Sequence, residues 1–267
     1  MGAELAVVVI TGAAGRIGTY LRSGLRPLGW DLRLLDRRAI PEEPDAVVAD
    51  IRDTDALASV MQDAFGVVHL AGAISPRDSF GDVLAANIEG THAVLEAARL
   101  AGVERFVFAS SNHANGFAPR SAPGIAGAHD RPDSFYGVSK IFGESLCRLY
   151  FERFDMKAAC LRIGSCFDVP RVPRMLGSWL SPRDAAGLVD ACLRSPELGY
   201  KVFYAISANT RRWWDLAPML ELGYHPQDNA EDWAEELLAD FGGIDPSDPD
   251  EPTGGDSGRK DAAESAR

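Results

Sequence analysis

The chain has 267 residues, 46% of them hydrophobic, with 27 Lys and Arg against 39 Asp and Glu and a formal net charge of −12. That length suits one large α/β domain or a domain with a small appendage, and the negative balance argues against nucleic acid or an anionic membrane as partner. No run of 18 apolar residues exists, the N-terminus lacks a signal pattern, and neither the four cysteines nor the five histidines show metal-ligand spacing; a soluble, cytoplasmic protein with reduced thiols and no metal is expected.

The first element is the unbroken apolar run Ala6 to Ile10, the pattern of a strand buried on both faces of a parallel sheet. It runs straight into Thr11-Gly12-Ala13-Ala14-Gly15-Arg16-Ile17-Gly18 and a helical pattern from Arg16 to about Leu25. Glycines at 12, 15 and 18 between a strand and a helix permit a tight turn, close approach of a pyrophosphate and close helix–strand packing. The amides at the helix start, around Arg16 and Ile17, face the phosphates. Trp30 to Leu35 reads as the second strand, ending at Asp36, where a carboxylate accepts from adenosine ribose hydroxyls and repels the 2′-phosphate of NADP. NAD is therefore expected, although Arg37 and Arg38 follow directly and a guanidinium there pairs well with that phosphate.

Ala46 to Ala49 is a short third strand closed by Asp50 and Ile51, with Asp53 opening the next helix. Phe65 to Leu70 is the fourth strand, and Ala71-Gly72-Ala73 after it gives backbone access along a cofactor. Phe80 to Ala101 reads as one long helix burying Val83, Leu84, Ile88, Val94, Leu95 and Ala98, with Asn87 among them bonding neighbouring backbone or a structural water, and Gly102 ends it. Phe106 to Ala109 is the fifth strand, with Ser110-Ser111-Asn112-His113 at its carboxyl end, where open α/β sheets bind ligands. Residues 114–133 form a loop with few core candidates, and Asp133 or Ser134 caps a helix to about Phe154 with Ile141, Leu146, Leu149 and Tyr150 on its apolar face. Ala158 to Ile163 is the sixth strand, Gly164-Ser165-Cys166 follows it, Pro182 opens a helix to about Leu193, and Lys201 to Ile206 is a further strand. Trp213, Trp214, Leu216, Met219 and Leu220 read as a packed helix, Gly223-Tyr224 turns the chain, and a last amphipathic helix covers about Ala230 to Phe241. From 244 onward seven acids and three bases lie among Pro, Gly and Ser, a composition expected to be disordered.

Tyr136 and Lys140, four apart on a helix, leave one face. A phenol is a poor base near neutrality, but an adjacent ammonium lowers its pKa, and a hydroxyl at Ser111 is placed to hold a substrate alcohol against it. With the glycine turn, this apparatus resembles the extended, sugar-modifying branch of the short-chain dehydrogenase/reductase superfamily. His69 to Ser75, Phe108 to His113, Tyr136 to Lys140, Arg162 to Cys166 and Arg174 to Leu176 resemble the uronate dehydrogenases more specifically, over roughly residues 5–232.

The resemblance implies a Rossmann-type doubly wound parallel sheet over 1–243, a small C-terminal substrate-binding portion from 164–180 and 200–240, and the tail 244–267 outside it. It implies that Asp50, Ile51, Leu70, Ala71, Gly72, Ala73 and Cys166 join the glycine turn and Asp36 around NAD. Tyr136 is then the base, Lys140 its partner and Ser111 the orienting hydroxyl. Ser75, Asn112, His113 and Ser165 hold the sugar, and Arg174, on a lid over Val172 to Leu180, grips a C6 carboxylate. The implied reaction oxidises the C1 hydroxyl of D-glucuronate or D-galacturonate to the aldaro-lactone in a homo-oligomer. These sugars differ only at C4, which the sequence does not discriminate. Two rival readings are a nucleotide-sugar epimerase or dehydratase of the same superfamily and a non-catalytic dinucleotide sensor. Asn112-His113 stands where a dehydratase would place an Asp-Glu pair, and the Tyr/Lys pair that sensors commonly lose is intact.

Overall fold

β-rich apolar runs become the strands β1 (Val7–Thr11), β2 (Asp31–Asp36), β3 (Val47–Val48), β4 (Gly66–His69), β5 (Arg105–Ser111), β6 (Lys157–Ile163) and, further along, β9 (Tyr200–Ala205). They form one seven-stranded sheet in the order β3-β2-β1-β4-β5-β6-β9, every pair parallel. The fold comes from a computed structural model that describes residues 6–75, 77–122, 126, 130–240 and 250–255. The strand order reverses between β1 and β4, and the carboxyl ends beside that reversal open the crevice that such sheets use for ligands.

Period-2 alternation sends β5 side chains to two cores. Phe106 and Phe108 join Leu57, Val94, Leu95 and Cys147 beneath α2 (Thr54–Met61), α4 (Gly90–Leu100) and α5 (Phe135–Phe154). Val107 joins Leu21, Leu25, Leu188 and Val189 beneath α1 (Arg16–Leu25) and α7 (Pro182–Arg194). Between β6 and α7 the chain makes a two-stranded ribbon of β7 (Ser165–Cys166) and β8 (Trp179–Leu180), with α6 (Met175–Ser178) between them. Met175, Leu176 and Trp179 pack with Ala230, Ala234 and Leu237 near α9 (Ala234–Asp240), a third, smaller core under the ribbon.

Several expectations need correcting. The long helix over 80–101 is interrupted: α3 (Phe80–Val83) passes through a π turn at Leu84–Glu89 before α4. The extra residue shifts the helix phase, so Asn87 is buried while Leu84, expected inside, is 38% exposed. On α5 the inward stripe is polar (Tyr136, Ser139, Lys140, Glu144, then Cys147), and Leu149 faces out, because this helix lies over the crevice rather than over apolar sheet alone. Trp213 and Trp214 are not helical. The helix α8 (Ala217–Glu221) starts later, with a proline in its first turn and the Asp215 carboxylate accepting from Ala217 N, while Trp214 stacks on Tyr204 with ring centroids 4.5 Å apart. The loop after β5 was expected to have few core candidates, yet Ala114, Asn115 and Ala118 are buried, because part of the C-terminal tail covers them.

Candidate active site

The crevice is built first from the β1–α1 turn. Gly12 has φ +74°, and a Cβ there would lie 2.6 Å from Ala71 N, so only glycine lets β1 and the Leu70–Ala73 loop approach this closely. Gly15 begins α1 with no side-chain cap and no acid in the first turn, leaving the Arg16 and Ile17 end of the helix to meet an anion. Asp36 is buried at the tip of β2, where one carboxylate oxygen accepts from Ala14 N and the other from Arg38 N, both at 2.9 Å. Arg38 folds back, donating to Ala14 O at 3.0 Å with its Nε 3.7 Å from Asp36. These features fit a dinucleotide whose ribose meets an acid. Arg16 donates to Cys166 O at 3.0 Å and lies 3.8 Å over the Phe167 ring, so two predicted cofactor residues 150 positions apart meet across the crevice. Ile51 is buried beside Gly90, whereas Asp50 is exposed and engaged by Arg52, whose side-chain hydrogen bond holds its carboxyl below the usual range.

The second wall is β5 with α5. Ser134 caps α5 by accepting from Gly137 N at 3.1 Å, which leaves Asp133 to accept from His113 Nδ1 at 2.7 Å. Gly143 lets the helix lie on the sheet, since a Cβ there would fall 2.3 Å from the Phe108 ring. Asn87, turned inward by the π turn, donates to Ala73 O and Ser139 Oγ and accepts from Ala73 N at 2.7 Å, while Ser139 donates to Tyr136 O. One side chain thus ties the loop along the crevice to the helix that carries Tyr136 and Lys140, as the sequence pattern predicts for Asn87.

Electrostatics there depart from the simplest expectation. Burial pushes the Tyr136 phenol up to about 12; the Ser111 hydrogen bond lowers it, and Asp133 and Asp78 raise it further. Burial also brings Lys140 down to about 8, opposed by Glu144. The ammonium sits 5.3 Å from the Tyr136 ring centroid, and within the protein alone desolvation outweighs it, so the phenol stays protonated at neutral pH.

The third wall brings in segments distant in sequence. Arg174, just before α6, reaches Ser165 Oγ and Ser178 Oγ at 3.3 Å each and also donates to Thr253 O, which accepts from Asn112 Nδ2 at 3.0 Å as well. One backbone carbonyl therefore joins Arg174 to Asn112. Residues 250–255 lie along 112–120: Thr253 N donates to Ala118 O at 2.8 Å, Thr253 Oγ1 to Asn115 O at 2.7 Å and Gly254 N to Gly116 O at 2.9 Å. For these residues the expectation of a disordered tail does not hold; 244–249 and 256–267 lie outside the described residues. Thr253, Ser178 and Asp78 escape sequence reasoning, and Asp133, read there only as a candidate helix cap, instead holds His113. Only the Gly254-Gly255 pair hinted at a turn, and its composition matched that of the residues around it. Ser75 sits in the turn after the Leu70–Ala73 loop, its Oγ accepting from Arg77 N and its own N–H donating to Asp78 at 2.9 Å, and no hydrogen bond joins it to Tyr136 or Ser111 among the described residues.

Comparison with known proteins gives consistent matches. Residues 8–169 match the model of the NAD dependent epimerase/dehydratase family. A uronate dehydrogenase from Agrobacterium fabrum is 40% identical over 244 residues, 90% of this chain and 92% of that one. The solved glucuronic acid dehydrogenase of Chromohalobacter salexigens is 41% identical with a TM-score of 0.87, covering 95% of this chain and 97% of that one. A mutant uronate dehydrogenase from Agrobacterium tumefaciens, solved complexed with NAD, is 38% identical with a TM-score of 0.86 over 95% of this chain and 97% of that one.

Proposed function

The chain belongs to the NAD dependent epimerase/dehydratase family and, within it, to the uronate dehydrogenases, and on that premise we propose that it oxidises the C1 hydroxyl of a cyclic hexuronic acid with NAD to give the aldaro-lactone. The observation that carries the acid-sugar reading is the position of Arg174, whose fork shares the Thr253 carbonyl with Asn112, the residue next to Ser111. A planar guanidinium on the same wall as the hydroxyl-binding residues is what a sugar with a carboxylate at one end and a reacting hydroxyl at the other requires.

In this reading Gly12, Gly15, Arg16, Ile17, Gly18 and Asp36 hold the pyrophosphate and ribose, with Ile51, Leu70 to Ala73 and Cys166 along the rest of the cofactor. Asp50 contributes charge more than contact, being paired with Arg52. NAD, when bound, supplies the hydride acceptor together with a cationic ring, a charge that favours the phenolate. Tyr136 takes the proton of the C1 hydroxyl, and as the C1–H bond breaks the hydroxyl oxygen becomes the lactone carbonyl, the ring oxygen staying in place. Lys140 must be an ammonium for this step, because its charge offsets the burial that keeps Tyr136 protonated. Ser111, bonded to the phenol, orients the hydroxyl. His113 is pinned by Asp133 with its ring 5.8 Å from that of Tyr136, which suits a sugar contact and not a base. Ser75, Asn112 and Ser165 meet the other sugar oxygens, and Arg174 holds the C6 carboxylate.

No helix among the described residues is long and apolar enough to cross a membrane, and the four cysteines are buried and unpaired, as in a reducing cytoplasm. Phe80 and Phe135, 57% and 58% exposed with ring centroids 5.3 Å apart, offer the apolar face through which a homo-oligomer would form. The test is appearance of reduced nicotinamide absorbance with NAD and D-glucuronate or D-galacturonate, against D-glucose and against NADP. Turnover of both acids and of neither control is expected; equal rates with glucose would remove the role given to Arg174.

A further inference from the structure

Behind Tyr136 and Lys140 lies a group of charges that the reaction above does not use. Glu144, one helical turn beyond Lys140, is 3% exposed. Arg162 of β6 grips both its oxygens, Nε to Oε1 at 2.8 Å and Nη2 to Oε2 at 2.7 Å, and Ser110 of β5 donates to Oε1. Arg162 is fully buried, and its Nη2 lies 2.7 Å from Asp130 in the segment before α5. Ser110 is the neighbour of Ser111, Arg162 lies three residues before Ser165, and Asp130 lies three before Asp133.

We propose that Glu144 is a positioning residue for the same reaction: clamped by Arg162 and Ser110, it holds α5 against β5 and β6 and keeps Lys140 an ammonium beside the Tyr136 phenol. The reaction named rests on the reading above; the effect of Glu144 on Lys140 does not. The i, i+4 spacing puts the two side chains on one face, and within the buried site Glu144 is the charge that favours protonated Lys140 against desolvation. Among the described residues, Glu144 is the acid whose charge acts on Lys140. His69 on β4 is brought down to about 3 by burial and is neutral, and burial raises the Cys160 thiol and the Tyr200 phenol, whose hydroxyl donates to Glu144 O at 2.9 Å. Cys147 beside Cys160 and Tyr204 beneath Arg162 complete the lining. Asp130 is held against the same Arg162 Nη2 that grips Glu144, and Lys140 draws no stabilisation from it. With Glu144 neutralised, Lys140 would lose the charge that opposes its desolvation.

The chain has four lysines, Lys140, Lys157, Lys201 and Lys260, so carbon-13 NMR of labelled lysine side chains reads the Lys140 titration directly, assigned with Lys140→Arg. The measurement needs no substrate. Glu144→Gln is expected to lower the Lys140 midpoint by ~1 pH unit, the scale of one neighbouring charge, and to move the alkaline fall of kcat/KM with hexuronate down by the same amount. Breaking a buried pair strands Arg162, so the double variant Glu144→Gln with Arg162→Gln, which leaves neither ion, covers the case in which the single one does not fold. Its midpoint is expected to fall by less. A Lys140 midpoint unmoved in whichever variant folds, with only the melting temperature lowered, would make Glu144 a structural strut and overturn the proposal. If the unaltered chain turned over no hexuronate, the reaction would be wrong, yet the lysine midpoint would still decide the role of Glu144.

Discussion

The two walls of the crevice that would meet the sugar are built in opposite ways. The β5–α5 wall draws Ser110, Ser111, Tyr136, Lys140 and Glu144 from two adjoining elements, with a buried side-chain bond from Ser110 to Glu144 and another from Ser139 to Tyr136 O. The facing wall gathers Ser165, Arg174, Ser178 and Thr253 from separate segments, and side chain to backbone bonds tie Arg174 and Asn112 to Thr253. The proposed chemistry, which demands fixed separations, falls to the rigid wall. The proposed recognition, which tolerates adjustment, falls to the assembled one.

Substitutions at four positions break or sharpen that contrast. Tyr136→Phe removes the proposed base from the rigid wall and is expected to lower kcat by ~10³-fold while the Kd for NAD, read by tryptophan fluorescence, stays nearly unchanged. Lys140→Met tests how strained that wall is. Its folded pKa is about 8 against an unfolded value near 10.5, so the unfolded chain binds more protons between those values and stability rises with pH across that window. The methionine variant is therefore expected to be more stable than the parent by about 3 kcal/mol at pH 7, a gap that narrows between pH 8 and 10 in denaturant titrations. A constant gap would mean that Lys140 is not carrying a buried charge.

On the assembled wall, Arg174→Ala is expected to cost ~10²-fold in kcat/KM with hexuronate, with Arg174→Lys recovering little of it because an ammonium lacks the planar fork. NAD affinity should not move in either. Gly254→Val tests the tail segment gently, since a Cβ there would fall 2.1 Å from the Asp133 carboxylate and dislodge 250–255 without deleting them. An increase in KM of about tenfold, with kcat changed less, is expected if Thr253 belongs to the sugar pocket. An unchanged KM would leave that segment a mere cover.

What the sequence made legible follows the same division. Strands with apolar runs, the glycine turn, Asp36 and the Tyr136/Lys140 pair are local patterns: the runs form strands of the sheet, Gly12 lies in the β1–α1 turn, Asp36 ends β2, and Tyr136 and Lys140 are buried on α5. The parallel order around the crevice follows from alternating strands and helices. Arg174 was reachable only by resemblance, because nothing in Val172 to Leu180 distinguishes a buried guanidinium from a surface one. Thr253 was not reachable at all: an acidic, glycine- and proline-rich stretch reads as disorder, and its fixing bonds go to backbone carbonyls and amides that no side-chain pattern announces. The polar stripe of α5 misled for a related reason, since hydrophobic periodicity does not foresee a helix face that looks onto buried charge. The phenol was read too simply as well; proximity of an ammonium is visible in sequence, whereas desolvation is a property of the packed molecule.

The π turn at Leu84–Glu89 has a further consequence. It amounts to a one-residue insertion inside a helix, and it rotates everything before it by roughly 100° relative to everything after it. The same step that swings Asn87 under the crevice leaves Phe80 and Leu84 on the outer surface, so a single codon gained or lost there would redraw the crevice and that exposed apolar patch together.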